Sequence, residues 1–265
     1  MKGMKTVWRI HHREETVSTN LDARVGKHGD VFTADFQTAG RGRLDHKWLS
    51  PPCANLMMSV VLSVEGLSPE HVSTLPLVIG LAVARGLSPF LVARGLSPSS
   101  SRGLSPQLKW PNDVLVEGRK LSGILCERQG DKVIVGVGVN VEQVDFPAEI
   151  ADKSTSSRLV AMRFGDEHCG DSSSERGVCP PVAQVRDVVL REIGDLYDLW
   201  RREGFGAVYP QIAAIDFLRG QSLSVVQTDT DHSPISGLCG GILPDGSLDV
   251  GGVPVYAGEA HVNFI

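Results

Sequence analysis

The chain has 265 residues, 42% of them hydrophobic and 22% charged, with a formal net charge of −5. That length can bury a proper core and hold one large domain plus a small one, and the composition is that of a soluble globular protein. The acidic balance argues against a nucleic-acid partner gripped through its phosphates, which would favour a basic surface. Five cysteines (Cys53, Cys126, Cys169, Cys179, Cys239) are widely spaced without any C-x-x-C. They read as reduced thiols rather than a disulfide framework or a fixed metal site. Met1 to Lys5 contains no signal-peptide core, and no uninterrupted apolar run approaches membrane-spanning length. The expected location is the cytoplasm, with no membrane partner.

In chain order, Val7 to His11 nearly alternates apolar and polar residues and predicts a first strand. Ser18-Thr19-Asn20 predicts a helix start, because each side chain can accept from orphan backbone N–H groups. A second strand over Asp30–Phe36 feeds a loop from Gly40 to Trp48. Asn55 to Leu62 is almost continuously apolar, as in a strand buried on both faces. Leu75 to Ala84 predicts a core helix. Leu108-Lys109-Trp110 and Val114-Leu115-Val116 flank a Pro-Asn-Asp turn, and strands follow over Leu121–Arg128 and Lys132–Val141. Asp187 to Glu203 carries apolar residues at helical spacing. Beyond Phe217, short apolar runs alternate with turn signals, among them Pro244-Asp245-Gly246-Ser247 and Gly251-Gly252, which predict hairpins.

Arg-Gly-Leu-Ser-Pro occurs at 85–89, 94–98 and 102–106, and Glu-Gly-Leu-Ser-Pro at 65–69. The units are too short and too irregularly spaced for a solenoid, and Gly and Pro break helix propagation. The expectation is an inserted loop from about 85 to 106, of a kind surfaces tolerate at low entropic cost. Residues 165 to 181 predict a second loop.

Two segments carry chemistry. The first is Gln37-Thr38-Ala39-Gly40-Arg41-Gly42-Arg43, running on to Lys47-Trp48. Gly40 and Gly42 let main-chain N–H groups approach an anion, and Arg41 and Arg43 add forked donors. Alone it could be a solvated basic loop, and it fits neither the Walker nor the dinucleotide pattern. The second is Lys109-Trp110-Pro111-Asn112-Asp113, followed by Lys120-Leu121-Ser122-Gly123. Either piece has a bland alternative, a chain turn or a surface lysine; their company and order set them apart.

In that order the chain resembles the biotin–protein ligases, from about residue 8 to the end, apart from the two inserted-looking loops. The resemblance implies an α+β fold: a central mixed sheet with helices over residues 1–215 and a small C-terminal SH3-like barrel over 216–265. It implies ATP-dependent attachment of biotin to a lysine of a carboxylase's biotin carboxyl carrier domain, acetyl-CoA carboxylase or a related enzyme, through biotinyl-AMP. Biotin would be held by Ser18, Thr19, Asn20, Gln37, Arg41, Gly42, Arg43 and Lys120. ATP and the adenylate would meet Gly40, Lys47, Trp48, Asn112 and Asn140, with Gly136 to Asn140 lining the pocket. Lys120, Arg43 and Asp113 are the expected catalytic groups, with Mg²⁺ accompanying ATP and no fixed protein metal site. A lipoate or octanoate ligase, or a catalytically poor biotin-binding regulator, are the alternatives. The oligomeric state stays open, a homodimer included.

The chain departs from the family pattern at three places. Leu44-Asp45-His46 replaces a Gly- and Arg-containing continuation, so the loop is less basic. Cys53 stands where the family commonly has Gly before Ala-Asn-Leu. The DNA-binding helix-turn-helix that some members carry is not expected here, with a first strand expected near residue 7.

Overall fold

The computed structural model describes residues 6–44, 46–91, 104–165, 179–227 and 233–262. Seven strands form the larger sheet: β1 (Arg9–Thr16), β2 (Asp30–Gln37), β3 (Asn55–Ser63), β4 (Gln107–Lys109), β5 (Asp113–Val116), β6 (Arg119–Gln129) and β7 (Lys132–Asn140). Their order is β1-β2-β3-β7-β6-β5-β4. Only the β1–β2 pair is parallel, so the sheet is mixed as expected.

Period-two alternation assigns its faces. On β7, Val133, Val135, Val137 and Val139 join the main apolar core, where Leu56, Met58, Val60 and Leu62 of β3 also lie. Against this face pack α3 (Leu75–Leu91), preceded by the short α2 (Pro69–Ser73), and α5 (Val182–Glu203), with α4 (Ser157–Gly165) touching α3. The opposite face carries α1 (Thr19–Asp22), where Ala23, Val61 and Ile134 form a small second cluster. Helices therefore lie on both faces. β3 is buried along all but its last residue, as its apolar run predicts.

The first strand lies two residues further on than expected, and all but its last residue is exposed. It is an edge strand whose charges suit solvent. α5 starts five residues earlier than predicted. The larger correction concerns the repeat. Instead of a loop from Arg85, α3 runs on to Leu91 with Pro89 inside it. Gly86, Leu87 and Leu91 are buried, and a Cβ at Gly86 would stand 3.3 Å from Val189 of α5. Burial against α5 outweighs the roughly 1 kcal/mol that glycine costs a helix. Residues 92–103 and 166–178, which held most of the two expected loops, lie outside the described residues. The stretch Pro69–Leu91 is long and apolar enough to cross a membrane, but 72% of its most apolar window is buried inside the protein, as in a core helix.

After α6 (Tyr209–Ala214) comes an all-antiparallel sheet of β8 (Ser222–Val226), β9 (Ile235–Ile242), β10 (Leu248–Val250), β11 (Val253–Val255) and β12 (Glu259–Val262), in the order β11-β10-β9-β8-β12. Gly246 at φ 87° turns β9 into β10. Gly251 and Gly252, at 61° and 85°, turn β10 into β11, the left-handed geometry that tight hairpins need. Leu223, Val225, Ile242, Leu248 and Val255 belong to the same apolar cluster as the larger sheet.

Candidate active site

The α1 side of the sheet contains a trough with a floor of glycine. Gly138 of β7 pairs with Gly123 of β6 and with Met57 of β3. One register step along, Gly136 pairs with Leu125 and Ser59. The Trp48 indole lies on Gly138 and Gly123, and the Asn20 amide lies on Gly136; a Cβ at either β7 glycine would run into them. The trough is a cavity of about 140 Å³. A second cavity of about 650 Å³ lies beside it, and Gln37, Arg41, Gly42, His46, Lys47 and Trp48 line both. The Gly40–Trp48 loop thus stands between them.

At one end of the trough, residues that look like a helix cap do something else. Ser18 occupies the N-cap position of α1 but makes no side-chain cap bond. The Thr19 N–H donates to Gln37 Oε1 at 2.8 Å, and Ser59 Oγ stands 2.7 Å from Thr19 Oγ1 and 2.6 Å from Asn20 Oδ1. Asn20 Nδ2 donates to Glu127 Oε2 at 2.6 Å. Ser18, Thr19 and Asn20 are all nearly buried. Polar groups so enclosed need partners, and Thr19 and Asn20 find them across the sheet rather than in the helix backbone.

The other end is cationic. Lys120 Nζ pairs with Asp113 Oδ1 at 2.7 Å. Register brings them together, since β5 and β6 pair antiparallel and a bulge falls between Val114 and Leu115. Asn112 is fixed twice to Ile124: its Nδ2 donates to the Ile124 carbonyl at 2.7 Å, and its own carbonyl accepts from Ile124 N–H at 2.9 Å. Arg43 Nη1 reaches Asn112 Oδ1 and the Gly258 carbonyl, both at 3.3 Å. Glu259 and Ala260 also line the trough, so the C-terminal sheet helps to build the site.

Backbone bonds shape the loop: Trp48 N–H to the Gly40 carbonyl at 3.0 Å and Gly42 N–H to the His46 carbonyl at 2.7 Å. A Cβ at Gly40 would collide with the Trp48 carbonyl, which is a specific reason for glycine there. Leu44 (φ 50°) and Cys53 (φ 58°) both occupy the left-handed region, uncommon for residues with a Cβ. Asp45 lies outside the described residues. Packing against the core pushes the Cys126 thiol up to about 12, and burial does the same for Cys179 at about 12 and Cys239 at about 11. None of these three is a thiolate nucleophile at neutral pH.

Most of the expected site residues meet in this trough: Ser18, Thr19, Asn20, Gln37, Arg41, Gly42, Arg43, Lys47, Trp48, Asn112, Asp113 and Lys120 all line it. Two do not. Gly40 lines only the outer cavity. Asn140 is buried beside the site, donating to the Thr155 carbonyl at 3.0 Å and the Lys120 carbonyl at 3.4 Å, so it supports the lysine strand. Arg41 lines the trough, but its guanidinium is committed to Glu127 at 2.8 Å. Sequence reading did not find Glu127, Ser59 or Glu259. Glu127 shares the period-two face of β6 with Gly123 and Leu125, a pattern that could have flagged it.

Comparison with known proteins agrees with this geometry. Residues 11–142 match the Biotin/lipoate A/B protein ligase family. The chain is 32% identical over 259 residues to the biotin–[acetyl-CoA-carboxylase] ligase of Mycobacterium tuberculosis, covering 92% of this chain and 85% of that one. The chain belongs to the biotin–protein ligase family. Its fold follows the family's over almost its whole length. The Aquifex aeolicus biotin protein ligase in complex with biotin and ATP has a TM-score of 0.76 and 26% identity, over 96% of this chain and 98% of that one. The Leishmania major biotin protein ligase in complex with biotinyl-5-AMP has a TM-score of 0.62 and 25% identity, over 91% and 97%.

Proposed function

We propose that this family member attaches biotin to a lysine of a biotin carboxyl carrier domain, of acetyl-CoA carboxylase or a related carboxylase, through biotinyl-AMP. The observation that carries the reading is the two-ended trough: a neutral, buried hydrogen-bonding end at Ser18–Asn20 and Gln37, and a cationic end at Lys120 and Arg43, joined by a glycine floor. A polar ring fits the first, and a carboxylate meeting a phosphate fits the second. The division of the chain into a catalytic part over 1–215 and an SH3-like barrel over 216–265, and a cytoplasmic location, belong to the same reading.

A carboxylate acylates an amine only once its oxygen has become a leaving group. The biotin carboxylate attacks the α-phosphate of ATP, the bond to pyrophosphate breaks, and negative charge grows at the phosphate and on the departing group. Lys120 and Arg43 face that charge. Among the described residues no cluster of three or more His, Cys, Asp or Glu side chains stands ready to hold a metal. Mg²⁺ would come with the triphosphate, with Asp113 and Asn112 among the protein oxygens at hand. When bound it neutralises charge on the leaving pyrophosphate. Asp113 holds Lys120 at rest; as Lys120 turns to the phosphate, the freed carboxylate can take a proton from the carrier ammonium. That amine then attacks the mixed anhydride and AMP leaves. Positioning supplies much of the rate, with effective concentrations of roughly 10⁵ M or more in good geometry. The inner cavity alone is smaller than the roughly 300–1,000 Å³ usual for ligand sites; entry of the substrates displaces the Gly40–Trp48 loop and Trp48, which can then stack on adenine.

The test is direct. With ATP, Mg²⁺ and biotin the protein should release pyrophosphate and transfer biotin to an apo carrier domain, while lipoate should support neither. Transfer of lipoate, or biotin binding without pyrophosphate release, would overturn the reading.

A further inference from the structure

We infer that Glu127 is a positioning residue that fixes the Asn20 amide, and through it Ser59, at the ring end of the trough and pins the arginine loop to the sheet. This rests on the biotin reading above. Glu127 lies on the site face of β6, half-buried, and its two oxygens serve two separate elements. Oε2 accepts from Asn20 Nδ2 of α1 at 2.6 Å. Oε1 and Oε2 both accept from Arg41 Nη2 of the loop, at 2.8 and 3.0 Å. Arg24 Nη2 approaches Oε1 at 4.0 Å, a weaker third attraction.

The reason this matters is that an ionised carboxylate can only accept. Asn20 must therefore present its NH₂ to Glu127, which turns its Oδ1 toward Ser59, 2.6 Å away. Asn20 Oδ1 only accepts, so the single Ser59 hydroxyl proton goes to it. Thr19 Oγ1 stands 2.7 Å from Ser59 Oγ and 3.1 Å from Gln37 Oε1, and its one proton serves one of those two contacts. Gln37 Oε1 is taken by the Thr19 N–H at 2.8 Å, and the Gln37 NH₂ remains as a donor beside Gly40. The Asn20 amide thus has one orientation, imposed by Glu127, and the Ser59 proton follows it, while Gln37 is oriented by Thr19. An amide in its place could donate or accept, Asn20 could flip, and Arg41 would lose its counter-charge.

The experiment is titration of biotin alone and of ATP alone into wild type, Glu127→Gln and Glu127→Asp, with thermal unfolding and steady-state adenylation of each. Charge-assisted hydrogen bonds are lost in the glutamine variant, so its biotin affinity should fall roughly 10- to 100-fold. ATP affinity should fall less than biotin affinity, since loosening the loop reaches Arg43 and Trp48 only indirectly, and Glu127→Asp, which keeps the charge, should lose less of both. Unchanged biotin affinity in Glu127→Gln, or equal loss toward both ligands, would overturn the assignment. Wild type that binds no biotin would sink the functional reading and this assignment with it, an outcome distinct from either.

Discussion

Cys53 shows how a single backbone angle explains a residue preference. Its φ of 58° is left-handed, a conformation glycine adopts freely and a Cβ resists. Cys53→Gly should stabilise the protein by roughly 0.5–1 kcal/mol, the relieved strain being partly offset by chain entropy. Urea unfolding of the pair measures it; a destabilised variant would mean the thiol earns its place by other contacts. At the lysine end the magnitude is larger. Lys120, held by Asp113 at 2.7 Å, meets charge that develops only in the transition state, so Lys120→Ala should slow adenylation roughly 10²–10³-fold with little change in fold. Near-native pyrophosphate release would remove it from the catalytic groups.

Among the elements, the pentapeptide repeat is the clearest case of surroundings overruling local sequence. At 65–69, Gly66 (φ 76°) turns the chain and Ser68 caps α2, its Oγ accepting from His71 N–H at 3.2 Å. At 85–89 the same Gly-Leu-Ser-Pro is helical and packs on α5. Leu87 is fully buried there, so Leu87→Ala should cost about 2–5 kcal/mol, read from the urea midpoint, whereas a surface loop would lose almost nothing. The edge strand β1 has a different anchor. Burial works against ionising Asp30, but the Lys27 N–H and the Arg9 and His11 side chains outweigh it, holding the carboxyl at about 2 against an ordinary 3.8. A depressed carboxyl stabilises the fold above its unfolded value and loses that contribution as pH falls. The wild-type advantage in melting temperature over Asp30→Asn should be full above pH 4 and vanish toward pH 2; a constant difference would contradict it.

For the whole molecule, the two sheets share one apolar cluster and are stitched by polar contacts. Asp216 accepts from the Leu218 N–H at 3.0 Å and the Ile242 N–H at 2.8 Å. Trp110 Nε1 donates to the Gly246 carbonyl at 3.1 Å. Unfolding should therefore be a single transition, with tryptophan fluorescence and circular dichroism coinciding. Asp216→Ala should lower stability by about 2–3 kcal/mol, since hydrogen bonds to a charged acceptor are lost, without splitting the transition. Two separate transitions would show that the C-terminal sheet folds independently.

The succession of strands and helices along the chain, α5 among them, was legible in the sequence because period and turn residues are local properties. Most of the residues expected at the site also meet in the trough, and the resemblance of the two segments to the biotin–protein ligases pointed to them, since either segment alone has a bland reading. What stayed hidden depended on partners distant along the chain. Asn20 and Glu127 are 107 residues apart, and only the β6–β7–β3 register and the seat of α1 on Gly136 bring them together. Thr19 and Asn20 carry cap-forming side chains, yet the sheet beneath them offers buried partners. Arg85 to Leu91 has helix-breaking composition, yet α5 offers a face on which to bury it. Short-range preferences are worth about 1 kcal/mol each, and tertiary burial of one large side chain outweighs them.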